Sequence, residues 1–226
     1  MMYRKIRSAA RDHENLKWYC RYYLSPRTDR WYSSLFQPYS HQISGEITPA
    51  YAKLPDTDIA RIQASFPNVK IIYILRNPIE RMWSQAALEF SRRGNQGIQT
   101  KTKYEILFFL SQSQHLAHSC YGKNLQRWQR YFPPEQIFIG YFDQIRSEPR
   151  QLLKNIFRFL GVDDDDRFLP KSLHRKVNPR DYPSMTKHFR QFVANALGDD
   201  VEALHTALKS PYTEQWMDSI EQYRKR

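Results

Sequence analysis

The chain has 226 residues, of which 41% are hydrophobic and 15% aromatic, so it is long enough for one full core, and disorder over most of its length is excluded. Thirty-five Lys and Arg against 23 Asp and Glu give a formal net charge of +12, which predicts anionic partners without choosing among nucleotides, acidic glycans, anionic lipids and nucleic acid. Cys20 and Cys120 are too few for a disulfide framework and lack metal-ligand spacing, so free thiols are expected. The sequence shows neither a signal-peptide pattern nor an apolar run of about 18 residues, and we expect a cytoplasmic protein.

The N-terminal part of the chain, rich in Arg and Tyr, predicts two short helices separated at Pro26. Aromatic doublets at residues 18–19 and 31–32 fall in these helices, and we expect them to pack against a sheet rather than to stack on a ligand. A strand is predicted near residues 42–47. A helix over about residues 57–66 follows it.

An unbroken apolar strand over residues 69–75 runs directly into Arg76 and then into a helix start. Apolar residues without polar alternation are typical of a strand that a parallel α/β sheet covers on both faces. Asn77 and Pro78 supply a helix N-cap and a first-turn proline. The carboxyl edge of a parallel sheet and a helix N-terminus both favour anions, so Arg76 is a candidate phosphate ligand. Ser84, about two turns along the same helix, adds a candidate hydroxyl.

The middle of the chain predicts mainly helices around one further strand. Helices are expected over residues 103–111 and 121–132, and the second carries a clear apolar stripe that we assign to the core. A buried strand over residues 136–141 precedes a helix that ends at Gly161. Four consecutive carboxylates at residues 163–166 are interpreted as a solvated turn rather than a metal site, because they lack the spacing of a calcium loop.

The C-terminal part of the chain opens with a Pro-rich, basic loop over residues 169–183, and long loops in compact domains are often functional. Helices are predicted over residues 185–197 and 201–208. The tail is polar enough to fray unless Trp216 anchors it. The expected organisation is a single domain over residues 1–226, with a helical lead-in at residues 1–36, an α/β core at residues 37–210 and a polar tail at residues 211–226.

Four segments occur in the order in which one enzyme family has them. They read S-G-E-I-T-P-A-Y at residues 44–51, I-L-R-N-P-I-E-R-M-W-S at 74–84, Y-x-x-x-L-x-x-W followed by a strand and an F-L-G helix at 121–161, and R-D-Y-P at 180–183. The set resembles the sulfotransferases that use 3′-phosphoadenosine 5′-phosphosulfate (PAPS), most of all the heparan sulfate N- and 3-O-sulfotransferase branch and its bacterial relatives. Pro179 stands where the family has Gly. Ile47 stands where heparan sulfate enzymes commonly have Lys, which removes a glycan-contacting cation.

The resemblance implies a three-layer α/β fold of the P-loop-NTPase type with a central parallel sheet, PAPS as the sulfate donor, and no metal. It also implies that Arg76 and Ser84 bind the 3′-phosphate of PAPS. Arg180, with Lys176, is then expected to close on the cofactor from the other side. Arg81 is left out of this set, because it could pair with the preceding glutamate or with a neighbouring acid.

Family members also have a first strand with a Gly-rich loop and a Lys that hold the 5′-phosphosulfate, and then a segment with the carboxylate that acts as base. None of the seven glycines here stands in such an arrangement. The sequence therefore predicts an N-terminally shortened domain that lacks the first strand and phosphate loop, and that transfers sulfate poorly or not at all as written. We expect Glu46 to be structural, and no catalytic base is assigned.

These patterns lead to three hypotheses on function. The first is a PAPS-dependent sulfotransferase domain whose acceptor is a hydroxyl or amine of a carbohydrate or small molecule. The second is a non-catalytic nucleotide- or anion-binding remnant of such a domain, which fits the missing loop. The third, a basic nucleic-acid-binding module, is favoured only by net charge and lacks a recognition motif.

Overall fold

The computed structural model describes residues 13–36, 42–92, 97–175 and 181–224. The chain divides into two compact units: Met1–Pro49 with Ala64–Pro67, and Ala50–Gln63 with Asn68–Arg226. The helices are α1 (His13–Leu24), α2 (Asp29–Ser34), α3 (Asp56–Ser65), α4 (Pro78–Arg92), α5 (Lys103–Ser111), α6 (Ser113–Leu116), α7 (Tyr121–Gln129), α8 (Gln144–Ser147), α9 (Pro149–Leu160), α10 (Lys187–Leu208) and α11 (Pro211–Tyr223), and the strands are β1 (Ile71–Leu75) and β2 (Ile137–Tyr141). No helix within these ranges is long and apolar enough to span a bilayer.

The first unit contains the two predicted helices α1 and α2. The Thr28 side chain caps α2 by accepting a hydrogen bond from the backbone N–H of Trp31 at 3.1 Å. Trp31 Nε1 in turn donates to the carbonyl oxygen of Arg21 on α1 at 2.8 Å. Trp18 Nε1 of α1 donates to the carbonyl oxygen of Leu35, the residue after α2, at 3.2 Å. The aromatic doublets of this unit therefore pair the two helices with each other.

The predicted strand near residues 42–47 is wrong. These residues have no regular structure and are exposed, and Ile47 is 96% exposed. The segment offers only two apolar side chains, and Gly45 lies between them, so it has little to bury against a sheet. A strand also needs a neighbour that pairs its N–H and C=O groups.

The second unit is built on a parallel pair of strands, and its helix-rich α/β architecture agrees with the predicted fold class. Ile71 of β1 lies opposite Ile137 of β2, and the register continues to Leu75 opposite Tyr141. Helices α4 to α7 form the crossover between the strands. Within the described residues the sheet has two strands, and Ile72 is 40% exposed, so the prediction that β1 is covered on both faces is wrong for that side chain.

Helix α4 begins where the sequence predicts and forms one wall of the core. The Asn77 side chain accepts hydrogen bonds from the backbone N–H groups of Ile79 and Glu80, at 3.0 and 3.2 Å. The fully or almost fully buried side chains of α4 are Ile79, Met82, Trp83, Ala86 and Ala87. They pack with buried residues of α5, α7, α10 and α11 in one apolar cluster.

Helix α10 is continuous over residues that the sequence divides into two helices. Gly198 and Asp200 lie inside it, although they suggest a break. Asp200 is buried and accepts hydrogen bonds from the backbone N–H groups of Gly122 and Lys123 at the start of α7, both at 2.9 Å. A contact with another helix therefore outweighs the local preference of these residues.

Two other sequence predictions for the C-terminal half are confirmed. Gly161 ends α9 with φ +79°, a left-handed conformation that glycine adopts without strain. Trp216 is 3% exposed and anchors the C-terminal segment as helix α11, which begins with a hydrogen-bonded capping box at Ser210 and Thr213. The C-terminal segment is therefore an ordered helix as far as Tyr223.

Candidate functional site

Arg76 directly follows β1, at the carboxyl edge of the sheet. Its guanidinium lies over the ring of Phe142, the residue after β2, at 4.9 Å from the ring centroid. Over the described ranges the half-buried side chain of Arg76 makes no hydrogen bond and no ion pair with protein groups. The side chain is held in place by stacking while its five N–H donors stay available to a ligand.

The first turn of α4 adds backbone dipoles to this edge. Asn77 occupies two of the free N–H groups, and Glu80, the acidic residue of the first turn, is paired with Arg190 on α10 at 2.7 Å. The acidic side chain that would compete with an anion is therefore already bound to another helix. The positive end of the helix dipole remains beside Arg76.

Ser84 lies on α4 seven residues after the cap residue Asn77, which places it on the same helix face about 10 Å along the axis. Its hydroxyl is half-buried and forms no hydrogen bond with any residue that the structure describes. The neighbouring Trp83 donates from Nε1 to the carbonyl oxygen of Pro183 at 2.7 Å. This bond ties the end of the basic loop to α4, next to Ser84.

A second arginine of α4, Arg81, faces the same region. Its two Nη atoms donate to Gln85 Oε1 at 2.7 and 2.8 Å, and Gln85 Nε2 lies 2.9 Å from His115 Nδ1. Burial lowers the pKa of Arg81, and the charge of Arg76 lowers it further. No carboxylate pairs with Arg81 among the described residues. Because the partner of Arg81 is a neutral amide, the guanidinium keeps its full positive charge. This is uncommon, since charged side chains that are partly buried are normally paired with an opposite charge.

The positive region continues to His118 and Lys53. Burial lowers the pKa of His118 to about 4, and the charges of Lys53, Arg81 and His115 lower it further, so its imidazole is neutral at pH 7. Lys53 and His118 are both half-buried. We use the name basic cluster for Lys53, Arg76, Arg81 and His118.

Two tyrosines form the inner wall behind the basic cluster. Tyr73 of β1 and Tyr121 of α7 meet edge to face at a centroid distance of 5.8 Å. Burial raises the pKa of both hydroxyls, that of Tyr121 to about 12, so neither carries a negative charge near pH 7. The wall therefore contributes no counter-ion, and the electrostatic character of the region is set by its cations.

Two of the residues proposed from the sequence, Lys176 and Arg180, lie outside the described residues. Glu46 belongs to the other compact unit, where it is exposed and outside regular structure. The placement of Arg76 and Ser84 on the strand end and the following helix agrees with the sequence analysis.

Sequence reasoning left out Arg81, His118 and Lys53. Arg81 was set aside as the possible partner of an acid, but Glu80 pairs with Arg190 and Arg81 binds Gln85 instead. The i to i+4 spacing of Arg81 and Gln85 on a helix was the available signal. Lys53 and His118 are distant in sequence and belong to no motif, so only the fold brings these two side chains together.

The four carboxylates at residues 163–166 are not part of the site. Asp163 pairs with Arg167 at 3.1 Å, Asp164 with Arg158 at 2.6 Å, and Asp166 with Lys154 at 2.8 Å and with Arg150. This agrees with the interpretation as a solvated turn. Over the ranges that the structure covers, no three His, Cys, Asp or Glu side chains are arranged to hold a metal ion.

Comparisons with known proteins identify the family. The family model for the sulfotransferase domain matches residues 35–197 of this sequence, and the chain belongs to the sulfotransferase domain family. It is 25% identical to the human bifunctional heparan sulfate N-deacetylase/N-sulfotransferase 2 over an aligned length of 211 residues, and the match covers 81% of this chain and 22% of the relative. It is 28% identical to the mouse heparan sulfate glucosamine 3-O-sulfotransferase 3B1 over an aligned length of 158 residues, and the match covers 66% of this chain and 36% of that protein.

The fold has a solved counterpart. The crystal structure of a sulfotransferase from Alicyclobacillus acidocaldarius matches with a TM-score of 0.64 at 20% identity, over 91% of this chain and 78% of the other. The α/β sulfotransferase fold predicted from the sequence is therefore confirmed. The chain spans about a fifth and about a third of the two curated relatives.

Proposed function

We propose that this chain is a sulfotransferase domain that binds PAPS and transfers its sulfuryl group to a hydroxyl or amine of a carbohydrate or small molecule. The observation that carries the proposal is Arg76, an arginine without an acidic partner in the described structure, held on Phe142 between a strand end and a helix N-terminus. Family membership supports the reaction class.

In this proposal Arg76 pairs with the 3′-phosphate of PAPS and Ser84 donates a hydrogen bond to it. Lys176 and Arg180 are proposed to contact the cofactor from the loop that ends at Pro183. When bound, PAPS supplies an activated sulfuryl group. Sulfuryl transfer, like phosphoryl transfer, requires mainly positioning and charge stabilisation from the protein, which suits a site rich in arginine.

Binding of adenosine 3′,5′-bisphosphate, measured by calorimetry, tests the proposed phosphate site. We expect Arg76→Ala to weaken binding by about 1.5 to 3 kcal/mol, roughly ten- to a hundredfold, because a charge-assisted contact is lost. Ser84→Ala should cost about 0.5 to 1.5 kcal/mol, as for a neutral hydrogen bond.

Arg150→Ala is the matched control, since Arg150 is an exposed arginine of α9 that pairs with Asp166. It removes the same charge and should leave affinity nearly unchanged. Unaltered affinity in Arg76→Ala, with a native circular dichroism spectrum, would contradict the assignment of the phosphate site.

The reaction itself is tested with PAPS and a panel of amine- and hydroxyl-bearing acceptors, with sulfated product detected by mass spectrometry. The relatives are named for glucosamine residues of heparan sulfate, so amino sugars belong in the panel. Product that disappears in Arg76→Ala would support transfer by this domain. Tight nucleotide binding without product on any acceptor would favour a binding protein instead.

A further inference from the structure

We propose that Arg81 is a second cation of the 3′-phosphate site, positioned by Gln85 and His115, and that Arg76 and Arg81 together select nucleotides that carry a dianionic phosphate monoester on the 3′-oxygen. This inference rests on the proposed function and adds to it a residue for donor selectivity. It starts from the two arginines at this edge, Arg76 directly after β1 and Arg81 one turn into α4, where its backbone N–H bonds to the carbonyl oxygen of Asn77 at 2.9 Å. Neither guanidinium has a carboxylate partner in the described structure.

The charge of the ligand gives the first argument. A terminal phosphate monoester carries a charge of about −1.5 to −2 at pH 7, because its second pKa lies near 6. Arg76 alone balances only about half of that charge. A second guanidinium completes the balance, whereas a nucleotide with a free 3′-hydroxyl has no charge at the 3′-position for either arginine to bind.

The surroundings of Arg81 give the second argument. The side chain is half-buried, and burial together with the charge of Arg76 makes its protonated form less favourable. Two like charges in a partly desolvated place destabilise the protein, unless an anion lies between them. The described residues supply no such anion. Ser84, three residues after Arg81 and therefore on an adjoining helix face, lies beside the same position.

The hydrogen bonds of Arg81 explain how the guanidinium is held without being neutralised. Gln85 accepts from both Nη atoms, and its own amide bonds to His115 on α6. The His115 ring stacks on the buried Phe109 at a centroid distance of 3.9 Å, which anchors the chain of contacts in the core. A glutamate at this position would hold Arg81 equally well but would cancel its charge. Gln85 and His115 are thus positioning residues.

This contrast defines the decisive variant, Gln85→Glu. It is nearly isosteric and keeps acceptors for both Nη atoms of Arg81, but it neutralises the guanidinium. Stability should be unchanged or slightly higher. The affinity for a dianion should nevertheless fall. A role of Arg81 in folding alone predicts no change in ligand selectivity for this variant.

The experiment compares dissociation constants of adenosine 3′,5′-bisphosphate and adenosine 5′-monophosphate by calorimetry. The proteins are the wild type, Arg81→Gln, Gln85→Glu and the control Arg150→Gln, with thermal unfolding measured for each. We expect Arg81→Gln and Gln85→Glu to weaken binding of the bisphosphate by roughly ten- to a hundredfold, the range for a lost charge-assisted contact. Binding of the monophosphate should change by less than about threefold, and Arg150→Gln should resemble the wild type.

The outcomes separate the two proposals. A wild type that prefers the bisphosphate while both variants keep that preference would overturn the role of Arg81 and leave the proposed function standing. A wild type without any preference would overturn the phosphate site itself, and the inference with it. If Arg81→Gln does not fold, Gln85→Glu decides, because its hydrogen bonds to Arg81 are retained.

Discussion

At the scale of single residues, the most informative side chains are those whose charges are left uncompensated. Arg76 and Arg81 lie at one edge of the sheet without carboxylate partners among the described residues. Burial, together with the charges of Lys53, Arg81 and His115, lowers the pKa of His118. Part of this lowering comes from neighbouring cations, so the region holds positive charge that the described residues do not balance. This is the electrostatic state expected of a site that awaits an anion.

His118 makes this state measurable through the pH dependence of stability. Its pKa is about 4 in the folded chain, against about 6.5 for an ordinary histidine, so the unfolded chain binds an additional proton between these pH values. The free energy of unfolding should therefore fall as the pH drops from about 6.5 toward about 4. Urea unfolding of the wild type and of His118→Asn at pH 7 and pH 5 measures the effect.

The difference between the two proteins isolates His118 from the other groups that titrate in this range. We expect the wild type to lose more stability than His118→Asn between pH 7 and pH 5, because only the wild type has this imidazole. Equal losses in the two proteins would show that neither burial nor the charges of Lys53, Arg81 and His115 lower the pKa of His118 in the folded chain.

At the scale of elements, the junction of α7 and α10 holds the wall behind the site. Asp200 of α10 supplies the acceptors for the first free N–H groups of α7, a cap that comes from a distant helix. Gly122 permits the approach, because a Cβ atom there would lie 2.8 Å from the carbonyl oxygen of Asp200. Tyr121, against which the backbone of Arg76 lies, begins the same helix.

Substitutions at this junction should therefore destabilise the fold. Asp200→Ala leaves buried N–H groups without acceptors and should cost about 1 to 3 kcal/mol in the free energy of unfolding. Gly122→Ala forces the two helices apart at a cost of about 1 to 3 kcal/mol. Asp199→Ala is the matched control, since its exposed carboxylate pairs only at the surface with Arg224 and should contribute about 0 to 1 kcal/mol. Chemical denaturation measures all three, and an Asp200→Ala variant as stable as Asp199→Ala would contradict the cap.

At the scale of the whole molecule, the net charge of +12 attracts anions without discrimination, whereas the site proposed here selects one kind. The two effects differ in their dependence on salt. Non-specific binding to DNA through about six to ten phosphate contacts loses roughly a thousand- to a hundred-thousandfold in affinity between about 50 and 200 mM salt. A nucleotide that binds through two arginines releases far fewer counterions and loses much less.

We therefore expect the protein to stay on an adenosine 3′,5′-bisphosphate resin at about 200 mM salt, where bound DNA is released. Free PAPS should elute it, and an equal charge concentration of duplex DNA should not. Arg76→Ala should elute early, while Arg150→Ala should behave as the wild type. Elution by DNA and PAPS alike would instead favour the nucleic-acid-binding alternative.

The accuracy of the sequence analysis followed the range of the interactions involved. The strand before Arg76, the cap at Asn77 and the stop at Gly161 were predicted, because strand pattern, capping and left-handed glycine depend on a few neighbouring residues. The strand near residues 42–47 was wrong, since pairing with a neighbour is a long-range condition. The predicted break within α10 was also wrong, because the Asp200 side chain accepts hydrogen bonds from the first backbone N–H groups of α7.

For the site, the sequence by itself determined Arg76 at a strand end, Ser84 two turns later and the family to which these positions belong. Only the tertiary structure decided that Glu80 pairs with Arg190. It also decided that Arg81 bonds to Gln85, which in turn bonds to His115. It placed Lys53 and Arg81 close enough to His118 to lower the pKa of that histidine. The physical reason is that motifs record local geometry, whereas the balance of charge in a site sums over side chains from several elements. That sum exists only once the chain has folded.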